Sequence, residues 1–127
     1  MYAIDSQSRI PVYEQIVSQT ERFVMMGLIK ADEPLQSVRS LSMELSVNPN
    51  TIQKAYSELE RRGVIYVVPG KGSFIAADAS EKVRDSKRTI LDEIENLSSE
   101  CALAGFEKKN IYEAVERGYS RNGGNLQ

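Results

Sequence analysis

The stretch Asn48-Pro49-Asn50-Thr51-Ile52-Gln53-Lys54-Ala55-Tyr56-Ser57-Glu58-Leu59-Glu60-Arg61-Arg62-Gly63 carries the start, the body and the stop of one helix. Asn48 offers a side-chain acceptor to the unpaired amides of a first turn, and Pro49 suits the first helical position, where its missing N–H is not needed. Ile52, Ala55, Tyr56 and Leu59 fall at i, i+3, i+4 and i+7 and so share one face, and Gly63 can adopt the conformation that ends a helix. The opposite face begins with Asn50, Thr51, Gln53 and Lys54.

Working toward the N-terminus, Ser37 is a candidate cap for a short helix carrying Val38, Leu41 and Leu45, which ends at Ser46-Val47-Asn48. Two short helices joined by a tight turn, the second with a clean apolar stripe, form a helix-turn-helix. Further back, Pro11 suits a first helical residue, and Val12, Tyr13, Ile16, Phe23 and Val24 follow at helical spacing as far as Gly27. Leu28 to Leu35 reads as a connection whose Leu and Ile residues anchor it to the core.

Beyond Gly63 the pattern becomes β-rich. Val64 to Val68, then Pro69-Gly70-Lys71-Gly72, then Ser73 to Ala76 read as strand, turn and strand, a hairpin wing. From Asp78 Gly and Pro nearly vanish. Val83, Ile90, Leu91, Ile94, Leu97, Cys101 and Leu103 predict one long amphipathic helix ending near Gly105, and Ile111, Ala114, Val115 and Tyr119 a shorter one. The fold class expected is therefore mainly α with a small β-hairpin wing. Residues 1–77 form a winged helix-turn-helix domain and residues 78–127 a two-helix tail, frayed from Gly118 onward. Such a stripe needs cover, and self-association through Val83, Ile90, Leu91, Ile94, Leu97, Cys101, Ile111, Val115 and Tyr119 would supply it.

Composition narrows the function. Sixteen Lys and Arg against eighteen Asp and Glu leave a net charge of −2, so a nucleic-acid face has to be local. Residues 1–77 hold eight basic and eight acidic side chains, and the excess acid lies in the tail. With no His and one Cys, the chain has no intrachain disulfide, no His/Cys metal site and no His base, and Cys101 reads as a small buried side chain. Catalysis would have to rest on carboxylates scattered over helix faces, so an enzyme is not expected, nor a metal or cofactor. No apolar run reaches the length of a membrane span and no signal peptide opens the chain, which points to the cytoplasm.

A recognition helix reads the major groove with residues near its N-terminus while its apolar stripe holds it on the core. Asn50 and Gln53 can pair with adenine, Lys54 can reach guanine acceptors or phosphate, and Thr51 can touch phosphate or a thymine methyl. A plain solvated helix face uses the same residue types. Ser37 and Arg39 open the preceding helix near the duplex backbone, where its first amides also face phosphate. In the wing, Gly70, Lys71 and Gly72 set one cation on a flexible tip, although ordinary hairpin turns also use Gly-Lys-Gly. Tyr56 and Tyr66 belong to packing patterns rather than to base stacking. Gly70-Lys71-Gly72-Ser73 lacks the spacing of a phosphate-binding loop and opens a strand where a helix should start.

Five segments together resemble the winged-helix domain of the GntR family: Ile10-Pro11-Val12-Tyr13-Glu14-Gln15-Ile16, Ser37-Val38-Arg39-Ser40-Leu41, Val47 to Tyr56, Leu59 to Ile65, and Pro69 to Ile75. The Asn48-Pro49-Asn50-Thr51 start and the short remainder after the wing are typical of its YtrA subfamily. The resemblance implies a bacterial homodimer that binds an inverted-repeat operator on double-stranded DNA. It implies a repressor, often of a neighbouring transporter operon, with a short two-helix dimerisation tail. It places DNA contacts at Arg39, Thr51, Lys54, Gly70, Lys71 and Gly72, and helix geometry adds Asn50 and Gln53.

Within the winged-helix region four residues depart from the family's habit. Gln36 stands for the usual Pro before Ser37, Ala31-Asp32 for the usual Pro-Gly, and Ser46 for the usual Gly between the helices. Glu107 also replaces a common capping Ser before the last helix. Two further readings accompany the main one. A winged helix can serve as a protein-binding module, which an acidic net charge would suit, and a regulator of this size could sense a small-molecule effector between its tail helices.

Overall fold

The stripe on the decisive helix is what the rest of the domain assembles around. A computed structural model describes residues 1–121. Among them lie six helices and one hairpin: α1 (Val12–Met25), α2 (Val38–Leu45), α3 (Pro49–Arg61), β1 (Ile65–Val68), β2 (Gly72–Ile75), α4 (Ala79–Ser86), α5 (Thr89–Leu103) and α6 (Lys108–Ser120). Asn48 caps α3 by accepting from the Asn50 N–H at 2.8 Å, Pro49 is its first residue, and Ile52, Ala55, Tyr56 and Leu59 are all buried. Ser37 caps α2 through the Ser40 N–H. Pro11 sits one place earlier than expected, as the extended residue before α1 rather than its first helical one.

α3 packs on α1 and α2, and α1 also carries α4. Ile16, Leu41, Ile52, Leu59, Val64 and Ile75 fill the centre with Val83, each at most 1% exposed. β1 and β2 pair antiparallel with Tyr66 opposite Phe74. The connection between α1 and α2 does more than span a gap. Pro34 bridges Phe74, Asp32 N–H donates to the Ile75 carbonyl at 2.8 Å, and Leu35 N–H donates to that of Ser73 at 2.8 Å. Ile29 and Leu35 pack on the core as expected, but Leu28 does not: it is exposed just past the end of α1.

The polar lead before α1 is also ordered. Gln15, itself buried, accepts from the Asp5 N–H and donates to the Asp5 and Ile10 carbonyls, and Tyr2 reaches Thr20 Oγ1 at 2.6 Å. The segment lies along α1 and brings Tyr2 edge-on to Phe23.

The expected single long helix of the tail is two. α4 ends at Ser86 and α5 starts at Thr89, and they belong to different compact units, Met1–Ser86 and the residues from Lys87 onward. The division thus lies after Ser86 and not after Ala77, because Ala79 and Val83 are buried in the core of the first unit. Val83 is thereby corrected: a side chain with 0% exposure inside its own chain has no surface left for another copy.

In the second unit α5 and α6 touch each other but bury no residue. Ile90, Leu91, Ile94, Leu97, Val115 and Tyr119 are exposed, Leu91 to 68% and Leu97 to 64%, while Cys101 and Ile111 are half-buried. Glu107 occupies the N-cap position of α6, and its N–H is met by the Asn110 side chain at 3.0 Å. Gly118, Tyr119 and Ser120, expected to fray, are the last residues of α6, and the remainder of that expectation lies outside the described residues. Among the described residues no helix is long and apolar enough to cross a membrane.

Candidate nucleic-acid interface

Burial of one face of α3 dictates what the other presents. Asn50, Gln53 and Lys54 are exposed on its first two turns, and Thr51 is half-buried beside them with its N–H returned to the Asn48 carbonyl. Gln53 donates to Ser57 Oγ at 3.2 Å, an exposed bond that a better partner can replace. The start of α2 is tied to α3 by Tyr56, whose hydroxyl donates to the Gln36 carbonyl at 2.7 Å and whose pKa is raised by burial. That bond fixes the backbone immediately before Ser37 and Arg39.

Ser37 spends its oxygen on the cap, so only its hydroxyl proton remains to be given to an anion. Gln36, where the family's Pro is usual, uses its side-chain amide to reach Ser40 and Glu44. Arg39 is exposed and makes no hydrogen bond or ion pair among the described residues, which leaves all its donors for a ligand.

The wing tip is built by a reverse turn. Lys71 N–H donates to the Val68 carbonyl at 2.9 Å, with Pro69 and Gly70 between and Gly70 at φ +79°, the arrangement of a type II turn. Gly72 follows at φ +118°. A Cβ on either glycine would meet nothing within 4 Å, so backbone conformation and not crowding calls for glycine there. Lys71 is exposed between them. Tyr66 stacks on Phe74 with ring centroids 5.5 Å apart and donates to Asp32 Oδ1 at 2.8 Å, so it braces the hairpin against the α1–α2 connection.

The structure brings Ser37 and Arg39 against α3 through the Tyr56–Gln36 bond, whereas Gly70, Lys71 and Gly72 stand on a separate element. It also shows two features that the sequence reading left out. Lys54 Nζ lies over the Tyr13 ring of α1, 4.1 Å from its centroid. At the far end of α3, Glu58 accepts from Arg61 Nε at 2.9 Å and from Arg62 Nε at 2.7 Å, and Arg62 reaches on to Glu21, 2% exposed, at 3.1 Å.

The Arg61 and Arg62 hydrogen bonds lower the Glu58 pKa from 4.5 to about 2. Contrary to expectation, then, not every carboxylate lies on an exposed face. The signal was present: Glu21 falls at i+4 from Val17 and at i−3 from Val24, within the stripe of α1, and Glu58 precedes Arg61 and Arg62 at i+3 and i+4. Nothing local could have joined Tyr13 to Lys54. Among the described residues no group of three or more His, Cys, Asp or Glu side chains is placed to hold a metal.

Comparison with known proteins identifies the family. The pattern described as bacterial regulatory proteins, gntR family, matches residues 12–75. The chain is 36% identical over 117 residues to the HTH-type transcriptional repressor YtrA of Bacillus subtilis (strain 168), covering 91% of this chain and 90% of that one. It is similar to the solved structure of a GntR family transcriptional regulator from Listeria monocytogenes, with a TM-score of 0.72 and 35% identity, covering 90% of this chain and 98% of the other. A more distant likeness is to AraR(DBD) in complex with operator ORX1, with a TM-score of 0.54 and 26% identity over 58% of this chain and 95% of that one. The protein is a winged-helix, DNA-binding transcription regulator and not an enzyme, and it belongs to the GntR family of bacterial regulatory proteins.

Proposed function

We propose that two copies of this chain join through α5 and α6 and repress transcription from an inverted-repeat operator, each inserting the start of α3 into one major-groove half-site. The observation that carries this reading is the presentation of Asn50, Gln53 and Lys54 on the open face of a helix whose other face is locked in the core. Arg39 and the first amides of α2 would hold the flanking phosphate, and Lys71 would follow the backbone or minor groove from the wing. The apolar stripe on α5 and α6 supports the dimer, since a paired surface would take it out of water.

Repression is supported by the role of the repressor YtrA, to which this chain is similar over nearly the whole of both chains. Control of a transporter operon and response to a small-molecule effector held by the tail helices complete the reading, with the cytoplasm as its compartment. The test is binding of the purified protein to its own promoter region against scrambled DNA over a salt series, with stoichiometry read at saturation. Tight, salt-sensitive and sequence-selective binding of two chains per site is expected. Lys54→Ala and Arg39→Ala should each weaken it by about 1–3 kcal/mol, with Lys71→Ala costing less and nearly alike on every sequence. Indifference to sequence at every salt would overturn the operator reading.

A further inference from the structure

We propose that Tyr13 is a positioning residue for Lys54, holding its ammonium on the ring face as an unneutralised charge ready for the duplex. The inference rests on the reading of α3 as the groove-facing helix. A lysine on a helix ordinarily pairs with a carboxylate one turn away, and Glu58 stands at i+4 from Lys54. Glu58 is otherwise occupied. Its two oxygens accept from Arg61 and Arg62, and Arg62 is held in turn by Glu21 of α1.

Lys54 Nζ lies instead 4.1 Å from the Tyr13 centroid, and among the described residues it makes no ion pair. Glu14 accepts from the Tyr13 hydroxyl at 3.2 Å, which helps to fix the ring. A carboxylate partner would cancel the charge and would have to be displaced before DNA could take it. An aromatic face attracts the cation without neutralising it and leaves its far side open. It also limits the rotamers of a long flexible side chain before the partner arrives, which lowers the ordering cost on binding. α1 thus supplies both halves of the device: Tyr13 holds Lys54, and Glu21 holds the arginine that occupies the competing carboxylate.

The test compares operator binding by the full chain, the variants Tyr13→Phe, Tyr13→Leu, Tyr13→Met and Lys54→Ala, and the pair Tyr13→Leu with Lys54→Ala, with thermal melting as the check on folding. Tyr13→Phe keeps the ring and should bind within about twofold of the parent, while Leu and Met, which keep apolar bulk but lose the π face, should bind roughly three- to tenfold more weakly. On the Lys54→Ala background the Tyr13→Leu loss should nearly vanish, since the two act through one contact. In the DNA-free parent, the Lys54 ε-methylene protons should lie upfield in NMR, and they should return to ordinary shifts in Tyr13→Leu. An undiminished Tyr13→Leu loss on the Lys54→Ala background overturns the proposal, as do an equal loss in Tyr13→Phe or unshifted Lys54 protons in the parent. Lys54→Ala binding like the parent would instead remove Lys54 from the interface altogether, a failure of the underlying reading that the other outcomes leave intact.

Discussion

Residues 1–86 and residues 87–121 draw on the same kinds of apolar side chain and put them in opposite situations. In the first region Ile52, Leu59, Val64 and Val83 are wholly buried; in the second Leu91 and Leu97 are more than 60% exposed and no residue is buried. Periodicity alone does not separate the two cases, because α3 and α5 both carry a clean stripe. What separates them is the number of surfaces available within each unit: α3 finds α1, α2 and β1 around it, and α5 packs on α6. A closed core stands alone, whereas a two-helix unit with a bare stripe has apolar surface that the proposed dimer would cover.

The sharpest test of that contrast is where the chain can be cut. Ending it after Ser86 should leave a folded unit whose melting is independent of concentration. Ending it after Ala77 removes Ala79 and Val83, uncovers the side of α1 they pack on, and should cost about 4–5 kcal/mol in denaturant unfolding. A fragment 1–86 that stays dimeric would remove the division of labour between the regions.

Next in size is a pair of matched truncations. Ile52→Ala, at a position with 0% exposure, should destabilise the first region by about 3 kcal/mol. Leu97→Ala should leave the unfolding of residues 1–86 unchanged and instead weaken self-association, read as a lower sedimentation-derived mass at a given concentration. Equal thermal losses in both variants would mean that the second region has a core of its own.

Much of this contrast could be read before the structure. The α3 stripe, the Asn48 and Ser37 caps, the Pro69-Gly70 turn and the exposed faces of α5 and α6 all follow from short-range patterns, where caps and spacing decide the outcome. Val83 was misassigned because its spacing to Ile90 continues the tail's stripe, and only the three-dimensional course of the chain shows α4 returning to α1. The ordered lead before α1, the pairing of residues 32–35 with β2 and the Tyr13–Lys54 contact were missed for the same reason. Each joins residues distant in sequence, and no local preference encodes such a meeting. Of the interface, the exposed residues of α3 were legible as a face, and Tyr13, which holds one of them, was not.

The acid side of the stability curve tests the ionic brace between α1 and α3. The folded-state Glu58 pKa, near 2, lies below its ordinary 4.5, so its contribution is complete above pH 4.5 and is lost as the pH falls toward 2. Glu58→Gln should therefore lower stability at neutral pH by a small amount and flatten the decline across that window, seen in denaturant melts at pH 2 to 7. An unchanged acid limb would show that the half-exposed pair with Arg61 and Arg62 contributes nothing measurable.

The smallest effect expected lies in the turn between α2 and α3. Ser46 has φ +54°, one of two non-glycine residues held in the left-handed region among the described residues, and Asp32 at φ +64° is the other. Both are positions where the resemblance to the family led to an expectation of glycine, so the backbone keeps the turn and bears the strain of a side chain. For Ser46 that strain is about 1 kcal/mol, offset in part by the greater freedom that glycine gives the unfolded chain. Its side chain is exposed and its N–H still closes α2 on the Ser42 carbonyl, a bond glycine would keep. Ser46→Gly should therefore stabilise residues 1–86 by about 0.5 kcal/mol while leaving operator affinity unchanged. A loss of stability would mean that the serine hydroxyl holds the turn in some way that outweighs its backbone strain, and a loss of affinity would place the turn itself against DNA.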